Sequence, residues 1–366
     1  MTNQQLFSFD YTWRSSQLDP LLLQIDLTRE QLRELPFPPR QAQVRAEEDL
    51  HAAVAASAVI AGIQVQSEEV RALAARQGQD APRLREVRNL LATYRFLATV
   101  DLSTPFPVSE QLLCSLHRYC TGKNGSVHEH PGCYRTNPVH IRDRDGRPVH
   151  RPPQDHEAVV QAMRRFIHCL NTPHIQSLHP LLRAGLAHCH LCLIHPFEDG
   201  NGRVARLLET LVLGAAAMMD LGLMLTVRYS QHQDAYFQAF VQTLSRKNDW
   251  TPFLAFLLEQ ALAALRERKD DRLAWVRRVV LEQYHADLRK EKQINDRQHA
   301  LLALLVDWER PVRLADLLER PPFFPLYRRL STQTARRDLA RLVALGLLKQ
   351  EEQGLYSLNL ELLLGH

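Results

Sequence analysis

Glycine is scarce in this chain, at 14 of 366 residues, and β-branched runs are short. Leucine and alanine dominate instead, which argues against an all-β design and predicts a mainly helical fold. No apolar run extends unbroken across a bilayer's width. The longest apolar stretch, 207–227, includes Glu209, Gly214, Asp220 and Gly222, so it reads as two buried helices with a break, not a membrane span. Met1 to Trp13 has no basic segment followed by an apolar one. No signal peptide is visible, and a cytoplasmic location is expected. The six cysteines, at 114, 120, 133, 169, 189 and 192, have no spacing that suggests a disulfide framework in a chain this long. A formal net charge of +4 is too small to imply a nucleic-acid partner by itself. No G-x-x-x-x-G-K-[ST] phosphate loop occurs.

What is present is ordinary globular composition, 45% hydrophobic and 23% charged, in a length sufficient for two or three domains with real cores. One run departs from it: His195-Pro196-Phe197-Glu198-Asp199-Gly200-Asn201-Gly202-Arg203-Val204-Ala205-Arg206. An apolar helix-like stretch, 178–194, ends at Pro196. After the run, Val204, Leu207, Leu208 and Leu211 recur with helical spacing, so a second helix starts near Asn201. Gly200 and Gly202 lie in the turn that opens it, where free N–H groups and the helix dipole favour an anion. Arg203 and Arg206 sit about one turn apart on one side of that helix, placed to clamp phosphate oxygens. Asp199 supplies a hard oxygen suited to Mg²⁺. His195 can take a proton from an attacking hydroxyl. The parts predict in-line transfer from a nucleoside triphosphate, with positive charge gathered against the transition state.

This run resembles the signature of Fic-domain proteins, H-[P/x]-F-x-[D/E]-G-N-G-R-x-x-R, at every defined position. The resemblance implies transfer of AMP from ATP to a hydroxyl of a target protein, carried on Ser, Thr or Tyr, with pyrophosphate leaving. It implies that His195 is the general base and that Asp199 holds Mg²⁺. Gly200, Asn201 and Gly202 would form the anion turn, and Arg203 and Arg206 would grip the β- and γ-phosphates. Gly202 favours AMP transfer over the kinase chemistry of the related Doc group, which carries Lys there. Upstream, 132–135, Val139-His140-Ile141, Asp145-Gly146 and 149–153 follow family order, and the two short extended runs around Asp-Gly read as a β-hairpin. The resemblance makes this hairpin a flap that holds the target's backbone as an added strand. Downstream, Tyr236-Phe237 and 249–253 resemble the helices that close the family's domain, and Tyr236 is counted with the nucleotide-binding residues. Fic proteins often pair, so a homodimer is a further expectation.

Many Fic proteins carry an inhibitory helix with [S/T]-x-x-x-E-[G/N], whose Glu pairs with the second motif arginine. Here the matching segment is 57–62. Ser57 and Gly62 fit, but Ala61 stands where the Glu belongs. On that alignment Arg206 is left free for a γ-phosphate and the enzyme is de-repressed; the competing reading makes this a plain alanine-rich packing helix. Another cluster, His188-Cys189-His190-Leu191-Cys192, invites a zinc reading. On a helix, however, Cys189 and Cys192 share a face while His190 points elsewhere, so packed or hydrogen-bonded side chains are expected.

These readings divide the chain into an N-terminal extension (1–80), a Fic catalytic domain (81–268), a charged linker helix (269–295) and a winged-helix-like domain (296–366). The first 45 residues are poorly patterned, with a Leu-Pro-Phe-Pro-Pro linker at 35–39. Helices are expected over 40–62, 82–98, 109–119 and 157–171. In the last part, helices over 300–306, 313–318 and 332–345 precede two strands around 351–354, with Ser331 as a cap and Gly346 as a stop. The segment 331–339 resembles the recognition helix of bacterial winged-helix regulators. Arg336, Arg337 and Arg341 are candidate DNA contacts, although Asp338, Glu351 and Glu352 dilute the charge. The second functional reading is therefore a DNA-binding regulator whose Fic domain senses nucleotide. Docking of a protein, or stabilisation of a dimer, is the competing reading of the same unit.

Overall fold

The computed structural model describes residues 11–76, 81–102, 106–122, 130–142, 147–246, 248–308 and 310–363. Its contacts divide the chain into two units, Met1–Lys269 and Asp270–His366. Among the described residues, no helix is long and apolar enough to cross a membrane.

The first unit opens with α1 (Ser15–Glu34), where the sequence reading found little pattern. Its buried stripe is narrow, being Leu18, Ile25, Thr28 and Leu32, and Pro20 interrupts the first turns. A short connection then leads to α2 (Pro39–Ile60), whose first residue is a proline, a position that has no intrahelical N–H bond to lose. The helices α3 (Ser67–Ala75), α4 (Pro82–Leu97) and α5 (Glu110–Thr121) follow, with Ser109 Oγ capping α5 through the Leu112 N–H at 3.1 Å. The strands β1 (Ile141–Arg142) and β2 (Pro148–His150) pair antiparallel, with Ile141 opposite His150. This is the expected hairpin; Asp145 and Gly146 lie outside the described residues. Next come α6 (His156–Leu170), capped by Asp155, and the single turn α7 (Pro173–Gln176).

At the centre of this unit stand α8 (Pro180–Ile194) and α9 (Asn201–Gly214). Both are buried on nearly every side, which marks them as core helices rather than surface ones. Around them pack α10 (Met219–Gln231), α11 (Gln233–Ser245) and α12 (Thr251–Lys290), together with α2, α4, α5 and α6. The 207–227 stretch is thus two helices with a break, as its composition predicted. At Gly222 of α10, an added Cβ would lie 2.8 Å from the Thr210 backbone, so glycine permits the close approach of α10 to α9. The N-terminal segment is tied down by backbone bonds from Thr12 N–H to the Asn248 carbonyl (2.7 Å) and from Trp250 N–H to the Thr12 carbonyl (2.9 Å).

The charged stretch after residue 268 does not begin a new helix. It continues α12, which runs unbroken for 40 residues. The second unit adds α13 (Asp296–Trp308), β3 (Val312–Arg313), α14 (Leu314–Glu319), α15 (Phe324–Tyr327), α16 (Thr332–Ala344), β4 (Leu348–Gln350) and β5 (Leu355–Leu358). Its three strands form an antiparallel sheet in the order β3-β5-β4. Leu301, Leu302, Phe323, Leu339 and Leu342 lie in its separate core. Gly346 sits just beyond the α16 C-cap at φ +70°, where glycine takes the left-handed conformation without a Cβ clash. The sequence anticipated α13, α14, α16 and two strands; β3 and α15 were not foreseen.

Candidate active site

The motif occupies the turn between the two central helices. α8 ends at His195, which adopts a left-handed backbone (φ 49°, ψ 58°), uncommon for a residue with a side chain. Its carbonyl accepts a hydrogen bond from Arg135 Nε at 2.8 Å. The same guanidinium donates to the carbonyls of Asn137 and Pro153, and the Arg135 N–H donates to the Pro196 carbonyl. One buried arginine therefore joins the turn to both ends of the hairpin region. His150 of β2 adds a bond from Nε2 to the Leu193 carbonyl at 2.9 Å.

His195 Nδ1 lies 3.3 Å from the Cys192 carbonyl, an acceptor, so Nδ1 carries the proton and Nε2 keeps its lone pair. Burial pushes its pKa down to about 4, and the Cys192 carbonyl only partly offsets this. At neutral pH the imidazole is therefore uncharged and able to accept a proton.

The loop beyond His195 is braced internally. Asn201 accepts from the Phe197 N–H and donates to the Phe197 carbonyl, both at 2.9 Å. Phe197 stacks on His117 of α5 at 3.9 Å between ring centres. His117 Nδ1 accepts from the Gly132 N–H at 2.8 Å, which fixes the tautomer; Nε2 then donates to the Asp199 carbonyl at 3.0 Å. At Gly200 (φ +79°) a Cβ would come within 3.0 Å of Thr121 and 3.3 Å of His117, so the turn lies directly against α5. Asn201 thus acts on the turn through its side chain.

Arg203 is 3% exposed and bridges two carboxylates, with Nη2 to Asp199 at 2.8 Å and Nη1 to Glu86 of α4 at 3.0 Å. The Asp199 side chain is 61% exposed, so its carboxylate also meets solvent. Arg206 is 2% exposed, and α2 holds it: Nε donates to Ser57 Oγ at 3.0 Å and Nη2 to the Ser57 carbonyl at 3.1 Å. That carbonyl is available because the Ala61 N–H turns to Val59 at the helix end. A cation at a helix C-terminus is favoured on electrostatic grounds as well. Arg206 is therefore not the free side chain the sequence implied. Its Nη1 lies 3.3 Å from where a Cβ on Gly202 would stand, facing the motif turn. Ala61 closes α2 and is exposed, and a Cβ added at the neighbouring Gly62 meets no atom within 4 Å.

Tyr236 requires correction. It is 2% exposed, its hydroxyl hydrogen-bonds His188 Nε2 at 2.7 Å, and its ring stacks on Tyr229. No face remains for a nucleotide. It belongs to a buried network in which Glu209 accepts from the Tyr229 hydroxyl and from His188 Nδ1. Burial opposes charge on His188, yet Tyr236 and Glu209 carry its pKa well above the ordinary value. His190 stacks on Trp250 at 4.1 Å, and burial lowers its pKa to about 4. Hydrogen bonds and ring contacts thus hold His188 and His190 within the core.

The structure brings His195, Asp199, Gly200, Gly202, Arg203 and Arg206 together on one turn and adds Arg135, His117, Glu86 and Ser57. Arg135 and Ser57 lie in segments the sequence singled out. Glu86 and His117 carry no local signal, because they meet the motif only through tertiary packing. Beside the turn, a cavity of about 340 Å³ is lined by His117, His130, Tyr134, Arg135, His156 and Asp199.

Residues 107–213 match the family model described as Fic/DOC family. Over 147 residues, 40% of this chain, the sequence is 34% identical to the protein adenylyltransferase Fic of Drosophila virilis and 33% identical to that of Drosophila melanogaster. The aligned part is 27% of each of those proteins, so the chain spans about a quarter of the length of the curated relatives it matches. Among solved structures, a Fic family protein from Desulfovibrio desulfuricans superposes with a TM-score of 0.59 at 22% identity, covering 96% of this chain and 98% of that one. Fic-1 from C. elegans superposes with a TM-score of 0.54 at 24% identity, covering 70% and 71%. The helical frame, the turn it carries and these likenesses together make residues 107–213 a domain of the Fic/DOC family.

Proposed function

We propose that the chain is a protein adenylyltransferase that moves AMP from ATP to a hydroxyl of a target protein. The observation that carries this reading is the placement of His195: a half-buried, uncharged imidazole with its Nε2 lone pair available, on the turn that opens α9 beside Asp199, Arg203 and Arg206. The hydroxyl oxygen attacks the α-phosphorus and His195 Nε2 takes its proton. The bond from the α-phosphorus to the bridging oxygen breaks, and pyrophosphate leaves. The α9 N-terminus, Arg203 and Nη1 of Arg206 face the negative charge of the phosphates. Asp199 is a suitable holder for Mg²⁺, since one exposed carboxylate plus substrate phosphates is a usual ligand set for that ion. Bound there, the ion would offset phosphate charge. The β1–β2 hairpin, joined to His195 through Arg135, is suited to hold the target's backbone in extended form.

Binding of the γ-phosphate must compete with Ser57 for Arg206. The reading therefore describes a partly restrained enzyme rather than one fully released by Ala61. Intact-mass analysis of modified protein after incubation with ATP and Mg²⁺ tests it: an AMP adduct is expected with the parent chain and not with His195→Ala.

In the second unit, the helices α13 and α16, the short α14 and a small antiparallel sheet suit the winged-helix reading. The regulator reading depends on that unit and does not compete with AMP transfer.

A further inference from the structure

We infer that a cleft at the ends of α8 and α9 remote from the motif binds a small carboxylic acid with an apolar body, its carboxylate held by Arg183. This goes beyond the transferase reading and does not depend on it. Among the described residues, four arginines are folded into the protein, Arg135, Arg183, Arg203 and Arg206, each 7% exposed or less. Three of them are accounted for. The Arg135 guanidinium donates to three carbonyls, Arg203 joins two carboxylates, and Arg206 is held by Ser57 beside the motif turn. Arg183 makes a single hydrogen bond, from Nη2 to the Phe106 carbonyl at 2.6 Å, and its Nε has no partner. Burial lowers its pKa, and among the described residues no carboxylate pulls it back. A guanidinium still keeps its proton at any ordinary pH, so the buried charge stays in place. Arg183 is also the fourth residue of α8, where the N-terminal end of the helix dipole adds positive potential. Two sources of positive potential therefore coincide in one buried place.

The cavity that Arg183 lines holds about 440 Å³, a size suited to a small organic ligand. Most of its wall is apolar, from Leu178, Pro180, Val212, Ala215 and Ala216. The polar side chain that shares it with Arg183 is Gln176, whose amide nitrogen donates to the carbonyls of Phe106 (3.3 Å) and Leu170 (3.1 Å). Among the described residues, Arg183 is thus the one charged group of the lining. That combination selects a ligand. Nη1 and the second hydrogen of Nη2 lie on one edge of a planar fork, which matches the two oxygens of a carboxylate. A single arginine balances a single negative charge, so a carboxylate fits better than a phosphate dianion. The apolar walls suit an alkyl or aryl body, whose burial adds to binding in proportion to the area removed from water. An alkylammonium is excluded by its like charge.

Isothermal titration calorimetry of the full chain with octanoate tests the proposal, with octanamide and inorganic phosphate as comparison ligands. Octanoate should bind saturably, about ten-fold or more tightly than either of the others. Arg183→Met keeps most of the side-chain length and removes the charge. It should weaken octanoate by about ten-fold or more and leave octanamide within about two-fold of the parent. Ala216→Leu leaves Arg183 in place and fills part of the cleft, so it should weaken both octanoate and octanamide; it carries the test if Arg183→Met does not fold. Melting temperatures without ligand report the folding of each variant. No saturable binding of octanoate, equal affinity for octanoate and octanamide, phosphate bound as tightly as octanoate, or undiminished octanoate binding in either folded variant would each overturn the proposal.

Discussion

Ser57 of α2 holds Arg206 of α9 by two hydrogen bonds, 3.0 Å to its hydroxyl and 3.1 Å to its carbonyl, across 149 residues of sequence. The carbonyl bond is available only because α2 ends one turn later. Arg206 is thus held by a helix terminus and one hydroxyl, without the carboxylate that the resemblance associates with this position.

Removing that hydroxyl leaves Arg206 Nε without its acceptor in a buried site. Ser57→Ala should cost roughly 1.5–3 kcal/mol of stability, as for a hydrogen bond to a charged group. It should also lower the KM for ATP, because one competitor for the guanidinium is gone. Thermal unfolding and steady-state kinetics on the same preparation check both effects; an unchanged KM would mean that Ser57 does not compete with the nucleotide.

Ala61→Glu places a carboxylate at the exposed end of α2, near the segment that holds Arg206. Modification should fall ten-fold or more, with little loss of stability at this open position. An equal rate in parent and variant would show that 57–62 is a packing segment with no inhibitory geometry.

The pH dependence follows from burial. His195 has its pKa lowered to about 4, and so do His190 and His285. These groups bind protons more readily unfolded than folded. Their contribution to stability is therefore full above the ordinary histidine value near 6.5 and is lost as pH falls toward 4. The chemical step should be flat from pH 8 to about 5.5 and decline below, rather than halving near 6.5. His188, raised by its partners, contributes in the opposite sense and loses that contribution at high pH.

In the proposed reaction Arg135 would act through the His195 carbonyl, as a positioning residue. Arg135→Lys keeps the charge but cannot reach three carbonyls with a planar fork. kcat should fall about ten-fold or more while the KM for ATP changes little. A rise in KM with kcat preserved would place Arg135 in nucleotide binding instead.

The motif itself was legible because its chemistry is contiguous: a base, a carboxylate, glycines and arginines within twelve residues. The break after α9 and the Ser331 cap of α16 were legible for the same reason, since each depends on local spacing. Glu86 and His117 were not, because only tertiary packing brings α4 and α5 to the turn. The helix α1 escaped because its buried positions are few and Pro20 obscures its start. Tyr236 was misassigned by resemblance. An aromatic hydroxyl reads alike in sequence whether it faces a ligand or a buried histidine. Asp338 looked like surface charge for a parallel reason, its partners Arg297 and Gln298 lying 41 and 40 residues upstream.

The most direct measurement is label transfer from ATP carrying radioactive phosphorus at either the α- or the γ-position, with the parent chain and His195→Ala. The account predicts label on protein from the α-position only, and its loss in the variant without loss of folding. Label from the γ-position alone, or α-label undiminished in His195→Ala, would contradict it.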